Sequence, residues 1–175
     1  MRILKQAIIL PLAILIFGCN NNGTSDNGTI KPISIINYTI VNSYPHDTNS
    51  FTEGFVVNNG KLYESTGSPI EFPQTKSLFG IVDLTSGKIS TLAEIDRNKY
   101  FGEGITFFNG NIYQLTYKAK IGFVYDAVTL KKIQEFIIPT EEGWGLTTDG
   151  TNLIMSDGSF ELTYLDPFTL KVVKK

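Results

Sequence analysis

From Ile35 to Lys175 the apolar residues come in short β-branched and aromatic runs broken by Gly, Asn, Asp and Pro. No segment sustains a 3.6-residue apolar period, so the pattern predicts strands and turns rather than helices. Ile35-Ile36-Asn37-Tyr38-Thr39-Ile40-Val41 is the first strand-like run, and it ends at Asn42-Ser43 before Tyr44-Pro45-His46-Asp47. Beyond Ser50 the chain is repetitive. Phe51-Thr52-Glu53-Gly54-Phe55, Phe101-Gly102-Glu103-Gly104-Ile105 and Gly143-Trp144-Gly145-Leu146 each open on an aromatic and a glycine. Behind them lie Asn58-Asn59-Gly60, Asn109-Gly110-Asn111 and Asp149-Gly150, which predict the turn between the first and second strands of each unit.

Gly54 and Gly104 are 50 residues apart, and Gly104 and Gly145 are 41. A second marker keeps similar spacing: Asp83, Asp126 and Asp166 are separated by 43 and 40 residues, each followed by a turn and a short strand. These aspartates read as turn caps. A period of about 40 to 50 residues holding about four short strands is that of a β-propeller blade. The expected fold is therefore all-β, with about three propeller blades between residues 35 and 175. Propellers need about four to eight blades, so the pattern reads as part of a longer propeller, with closure by self-assembly as the alternative.

The first nineteen residues differ from the rest. Met1-Arg2-Ile3-Leu4-Lys5 is cationic, Ala7 to Phe17 is apolar, and Gly18-Cys19 follows. That is the layout of a secretory signal, too short for a comfortable membrane span. Ile16-Phe17-Gly18-Cys19 resembles a bacterial lipobox, which implies acylation of Cys19, attachment to a membrane and a cell-envelope location, periplasmic or outer-membrane associated. Residues 20–34 are rich in Asn, Gly, Thr and Ser and read as a flexible tether.

Composition narrows the function. The chain has 15 Lys and Arg against 17 Asp and Glu, and two of the cations, Arg2 and Lys5, lie in the leader. No basic stripe is present, which argues against a nucleic-acid partner. With Cys19 the single cysteine and His46 the single histidine, no intrachain disulfide is possible, nor is a zinc site built from several histidines. No metal or cofactor is expected. His46 beside Asp47, with a Pro before it, reads as a turn-forming pair.

The motifs Pro45-His46-Asp47, Phe51-Thr52-Glu53-Gly54, Leu62-Tyr63-Glu64-Ser65-Thr66-Gly67, Phe101-Gly102-Glu103-Gly104-Ile105-Thr106, Gly122-Phe123-Val124-Tyr125-Asp126 and Glu142-Gly143-Trp144-Gly145-Leu146-Thr147 resemble the plant-type glutaminyl-peptide cyclotransferase (glutamine cyclotransferase) family. The resemblance implies a five-bladed propeller that converts the N-terminal glutamine of a peptide or protein substrate to pyroglutamate, releasing ammonia. It also implies that Glu103 is the essential carboxylate and that Phe51, Phe101, Tyr117 and Trp144 line the channel. Tyr117 stands where the family often has Trp, and Glu53 where it usually has Gln. Phe79 replaces a common Arg, and residues 68–76 form a lengthened loop. Glu53 is included among the substrate-binding positions, with the expectation that it and Glu103 share one channel. The rival reading is a non-catalytic propeller binding peptide or glycan at the cell envelope. Glu64 is left without a role.

Overall fold

The computed structural model describes residues 34–175; the leader with Cys19 and nearly all of the tether lie outside the described residues. The chain divides into two units, Met1–Thr39 and Ile40–Lys175. In the first, residues 34–39 are exposed and carry no regular structure. All twelve strands belong to the second.

They form three four-stranded antiparallel sheets, each a meander in chain order. The first holds β1 (Phe51–Asn58), β2 (Lys61–Gly67), β3 (Leu78–Val82) and β4 (Ile89–Glu94). The second holds β5 (Gly102–Phe108), β6 (Asn111–Thr116), β7 (Ile121–Asp126) and β8 (Lys132–Ile137). The third holds β9 (Leu146–Thr148), β10 (Leu153–Met155), β11 (Thr163–Leu165) and β12 (Val172–Lys174). The first strands of successive sheets, β1, β5 and β9, lie against one another in turn. This is the arrangement of successive propeller blades. The strand-like run 35–41 forms no strand: Ile35, Ile36, Tyr38, Ile40 and Val41 are exposed, because β-propensity holds a strand only where a sheet edge accepts it.

The turns follow their residues. Asn59 and Gly60 have φ of 49° and 73°, and Asn109 and Gly110 have 47° and 77°. Two successive positive values make the mirror-image two-residue turn that matches strand twist. Asp83, Asp126 and Asp166 each accept two backbone N–H bonds through Oδ1, from Thr85 and Ser86, Val128 and Thr129, and Phe168 and Thr169. Four residues after each aspartate the backbone enters the left-handed region, at Gly87, Leu130 and Leu170. The two leucines accept that strain and bury apolar side chains against the core clusters. The first blade uses glycine because a Cβ at Gly87 would lie 2.5 Å from the Pro45 carbonyl oxygen.

Hydrophobic burial lies between blades, not within them. Ile112, Phe123 and Tyr125 join Phe79 and Ile105 on one side of the second blade. Tyr113, Leu115, Val124, Phe136 and Ile138 join Leu153, Met155, Leu165 and Leu170 on the other. Neighbouring residues of β6 and β7 thus serve opposite interfaces, which is why these strands are continuously buried rather than alternating. A polar chain crosses the first interface. Tyr125 donates to Gln114 Oε1 (3.2 Å), Gln114 Nε2 donates to Ser65 Oγ (3.1 Å), and Ser65 Oγ donates to the Glu103 carbonyl (2.5 Å). Gln114 and Ser65 are fully buried, so this chain fixes the relation of the two blades wherever its partners are satisfied.

The inner strands approach closely at Gly104, whose N–H donates to the Trp144 carbonyl at 2.9 Å. A Cβ there would lie 2.5 Å from both that oxygen and the Leu146 nitrogen. Gly104→Ala is expected to destabilise the chain by about 2 kcal/mol or more through backbone overpacking, read as a lowered urea midpoint. An unchanged midpoint would show that the blades can separate there without cost.

Candidate active site

Beside the inner strands is a cleft of about 610 Å³, lined by Glu53, Phe101, Glu103, Tyr117, Trp144, Gly145 and Ser156, with Pro69, Ile70 and Glu71 from the loop between β2 and β3. Two of its carboxylates sit at breaks in strand register. The pairing of β1 with β2 slips between Thr52 and Gly54, and that of β5 with β6 slips between Gly102 and Ile105. A bulge re-aims the side chain it carries. Here one bulge presents Glu53 and the other Glu103, and both side chains line the same cleft close enough to perturb each other's titration. The glycines beside them admit the adjoining backbone: a Cβ on Gly102 would lie 2.5 Å from the Thr66 carbonyl.

Glu103 is only 7% exposed. Burial first, then the neighbouring Glu53 and the charge of Glu142, push its pKa up to about 8. Burial raises Glu53 as well, with its contact to Glu103 offsetting part of that rise. Glu103 therefore keeps its proton near neutral pH.

The aromatic wall is a row. The Phe101 ring meets Phe51 edge-on at 5.9 Å and lies tilted to Tyr117 at 6.0 Å. Gly67 leaves room for it, since a Cβ there would overlap the ring. Phe51 stacks on Phe72 behind Phe101 and does not line the cleft; of the six expected channel residues it is the one set back. Trp144 covers Gly158, and its Nε1 donates to Glu142 Oε2 at 2.9 Å. Glu142 also pairs with Lys118 Nζ at 3.4 Å, and Lys118 lies over the Tyr117 ring. The Trp144 N–H and Lys118 hold Glu142 below the ordinary carboxylate range, so it stays ionised beside a protonated Glu103.

Sequence reasoning gave Glu142, Ser156 and the lip residues 69–71 no role in the site. Glu142 was visible as the residue opening the Trp144 motif. Ser156 lies in the motif Met155-Ser156-Asp157-Gly158-Ser159 but reaches the site by pairing: Trp144 N–H donates to the Ser156 carbonyl and Ser156 N–H to the Gly145 carbonyl, both at 3.0 Å. Its Oγ accepts the Gly145 N–H at 3.0 Å, which leaves its own O–H free to donate. His46 and Glu64 lie elsewhere. Glu64 is fully buried on the first blade and accepts hydrogen bonds from His46 Nε2 (2.9 Å) and Thr52 Oγ1 (2.6 Å). Asp47 makes the expected turn, accepting from Asn49 N–H. Among the described residues, no group of three or more His, Cys, Asp or Glu side chains is arranged around a metal position.

The sequence profile described as glutamine cyclotransferase matches residues 11–175. The chain belongs to the glutamine cyclotransferase family. It is 36% identical over 180 residues to the glutaminyl-peptide cyclotransferase of Arabidopsis thaliana, covering 98% of this chain and 54% of the relative. The crystal structure of Myxococcus xanthus glutaminyl cyclase superposes with a TM-score of 0.65 at 28% identity, over 78% of this chain and 54% of that one. The computationally designed Ika4 protein shares the fold alone, with a TM-score of 0.51 at 10% identity over 80% of this chain and 79% of that one. This chain thus spans about half the length of the two cyclase relatives.

A carboxyl whose pKa rises on folding binds its proton more tightly in the folded state than in the unfolded one. Stability is then full below the ordinary value of 4.5 and falls as pH rises towards about 8. The slope is at most about 1.4 kcal/mol per pH unit. Urea unfolding at pH 5 and pH 8 is expected to show this loss, and Glu103→Gln is expected to flatten it. An equal loss in the variant would place its origin elsewhere.

Proposed function

We propose that the cleft cyclises the N-terminal glutamine of a peptide to pyroglutamate and releases ammonia, with Glu103 carrying the proton. The observation that bears most weight is a buried Glu103 in contact with Glu53 inside an aromatic cleft. Family membership and the names of both cyclase relatives support the same reading.

In this reaction the α-amine nitrogen attacks Cδ of the side-chain carboxamide. The N–Cδ bond forms, the Cδ–amide nitrogen bond breaks, and a proton passes from the amine to the departing nitrogen. Both reacting groups belong to one residue, so holding the side chain folded back supplies much of the rate by proximity. Phe101, Tyr117 and Trp144 provide a wall against which that folded conformation is held. Phe51 supports it from behind Phe101.

The remaining task is moving one proton, and a single carboxyl can accept it and return it. A free α-amine has a pKa of about 7.7 to 8.0, close to the value of about 8 for Glu103. Matched values make transfer in either direction nearly free of thermodynamic cost. An ordinary glutamate would be too weak a base for the first transfer. Glu53 accounts for part of the match, since its like charge is one of the groups that raises Glu103.

The test is ammonia release from a Gln-initiated dipeptide. Wild type is expected to be active and Glu103→Gln to lose about a hundredfold or more in kcat. Equal activity in the variant would remove Glu103 from the mechanism, and no release from folded wild type would favour a binding module. Glu53→Gln removes the like charge, so the Glu103 pKa falls and the base form persists to lower pH. The acid limb of the pH–rate profile is then expected to move down by about one unit. An unmoved limb would mean that Glu53 does not tune Glu103.

A further inference from the structure

The lengthened loop between β2 and β3 is a held structure rather than a slack connection. Arg97 Nη1 donates to the carbonyls of Pro73 (2.7 Å) and Thr75 (3.0 Å), and its Nη2 to that of Pro69 (3.1 Å). Inside the loop, Ser68 Oγ donates to the Thr75 carbonyl and Thr75 Oγ1 to that of Phe72, at 2.9 and 2.6 Å. A planar guanidinium bonded to three carbonyls sets the loop's shape. It also uses the Arg97 donors inside the loop, away from the cleft.

What the loop presents is apolar and acidic. Pro69, Ile70 and Glu71 line the rim of the cleft, and Ile70 is 90% exposed. Acidic side chains line the cleft at Glu53 and Glu71 besides the protonated Glu103, while among the described residues no Lys or Arg lines it. Lys118, beside Tyr117, is already paired with Glu142. A peptide whose first residue reaches Glu103 can run out past this rim, whose side chains then meet its second residue. A lysine or arginine in second position can lay its aliphatic stem on Ile70 and bring its charge to Glu71, whereas an acidic residue there meets like charge.

We propose that the lip of residues 69–71, held by Arg97, is the subsite for the residue that follows the N-terminal glutamine, and that it selects a basic residue there. The proposal rests on the cyclase reading of the cleft. It goes beyond that reading by naming a class of preferred peptide and the residue that chooses it.

Ammonia release should be measured for Gln-Lys-Ala-amide and Gln-Glu-Ala-amide on the 175-residue chain. The lysine peptide is expected to have a kcat/KM at least about tenfold higher, with the gap narrowing in 0.5 M salt, where the Debye length is roughly 4 Å. Glu71→Lys, an exposed change, is expected to bring the two within about threefold or reverse them. Arg97→Ala is expected to raise KM for the lysine peptide while kcat changes less than about twofold. Binding is read separately in Glu103→Gln. Trp144 is the single tryptophan and lines the cleft, so its fluorescence reports occupancy. The Kd for the lysine peptide is expected to be the lower by a similar factor. Equal Kd values and equal kcat/KM values would overturn the subsite while leaving the cyclase reading intact. Unequal Kd values with no ammonia from any peptide would leave the subsite standing and remove the cyclase.

Discussion

The close approach of backbone to backbone between neighbouring inner strands is the constraint on which the rest of the molecule depends. The 2.9 Å bond from Gly104 N–H to the Trp144 carbonyl leaves no room for a Cβ on Gly104. Gly54 sits in the same way against Gly104 and the Ile105 nitrogen, with 3.2 Å available to a Cβ. These contacts draw the first strands of three blades together, and the strands behind them then meet through apolar side chains. Because burial lies between blades, the second blade is covered on both faces. The first and third leave apolar side chains such as Phe55, Val57 and Val173 exposed, and on the second the exposed ones, Ile133 and Ile137, are confined to its outer strand β8 and Val128 to the turn before it.

The same strands carry the chemistry, and the bulges reconcile the two demands. A regular ladder would point residues in strict alternation, and the extra residue at each slip turns Glu53 and Glu103 towards one cleft. Placing two carboxyls together in a buried setting is unfavourable unless they share a proton. The fold resists relaxation of that arrangement through the Glu103 backbone. Its carbonyl is gripped by Ser65, and Ser65 is held through Gln114 to Tyr125, whose burial keeps the phenol protonated and donating. The acid–base property of the site is therefore a consequence of blade packing.

Around this pair the aromatic side chains divide their work. Phe101, Tyr117 and Trp144 face the cleft, and Phe51 and Phe72 stand behind them. Glu142 ties the far wall together by accepting from Trp144 and pairing with Lys118, and its charge adds to the field that keeps Glu103 protonated. The loop 68–76 that carries the lip obeys the same need for donors: Arg97 satisfies three carbonyls that a surface loop would otherwise leave to water.

Much of this was legible in the residues because local chemistry dictates it. Asn-Gly pairs demand a turn with two positive φ values, and a short aspartate before two free N–H groups caps a bend wherever it occurs. Repetition of those signals at blade spacing therefore announced the architecture, and the glycines around Glu103 marked a strand that something approaches. The run 35–41 misled because β-propensity describes a residue's fitness for a sheet and not the presence of an edge to accept it. That Ser156 and the lip belong to the cleft could not be read, because they reach it through backbone pairing and through the reach of Arg97 across more than twenty residues of sequence. Whether Phe51 faces the cleft or backs Phe101 is likewise a matter of which ring fills the space above Gly67. The sequence by itself determined the strands, their turns and the identity of the two glutamates. Only the tertiary structure decided that those glutamates line one cleft and that Glu103 is held protonated there, because a pKa of about 8 belongs to no residue alone but to burial and a neighbour's charge.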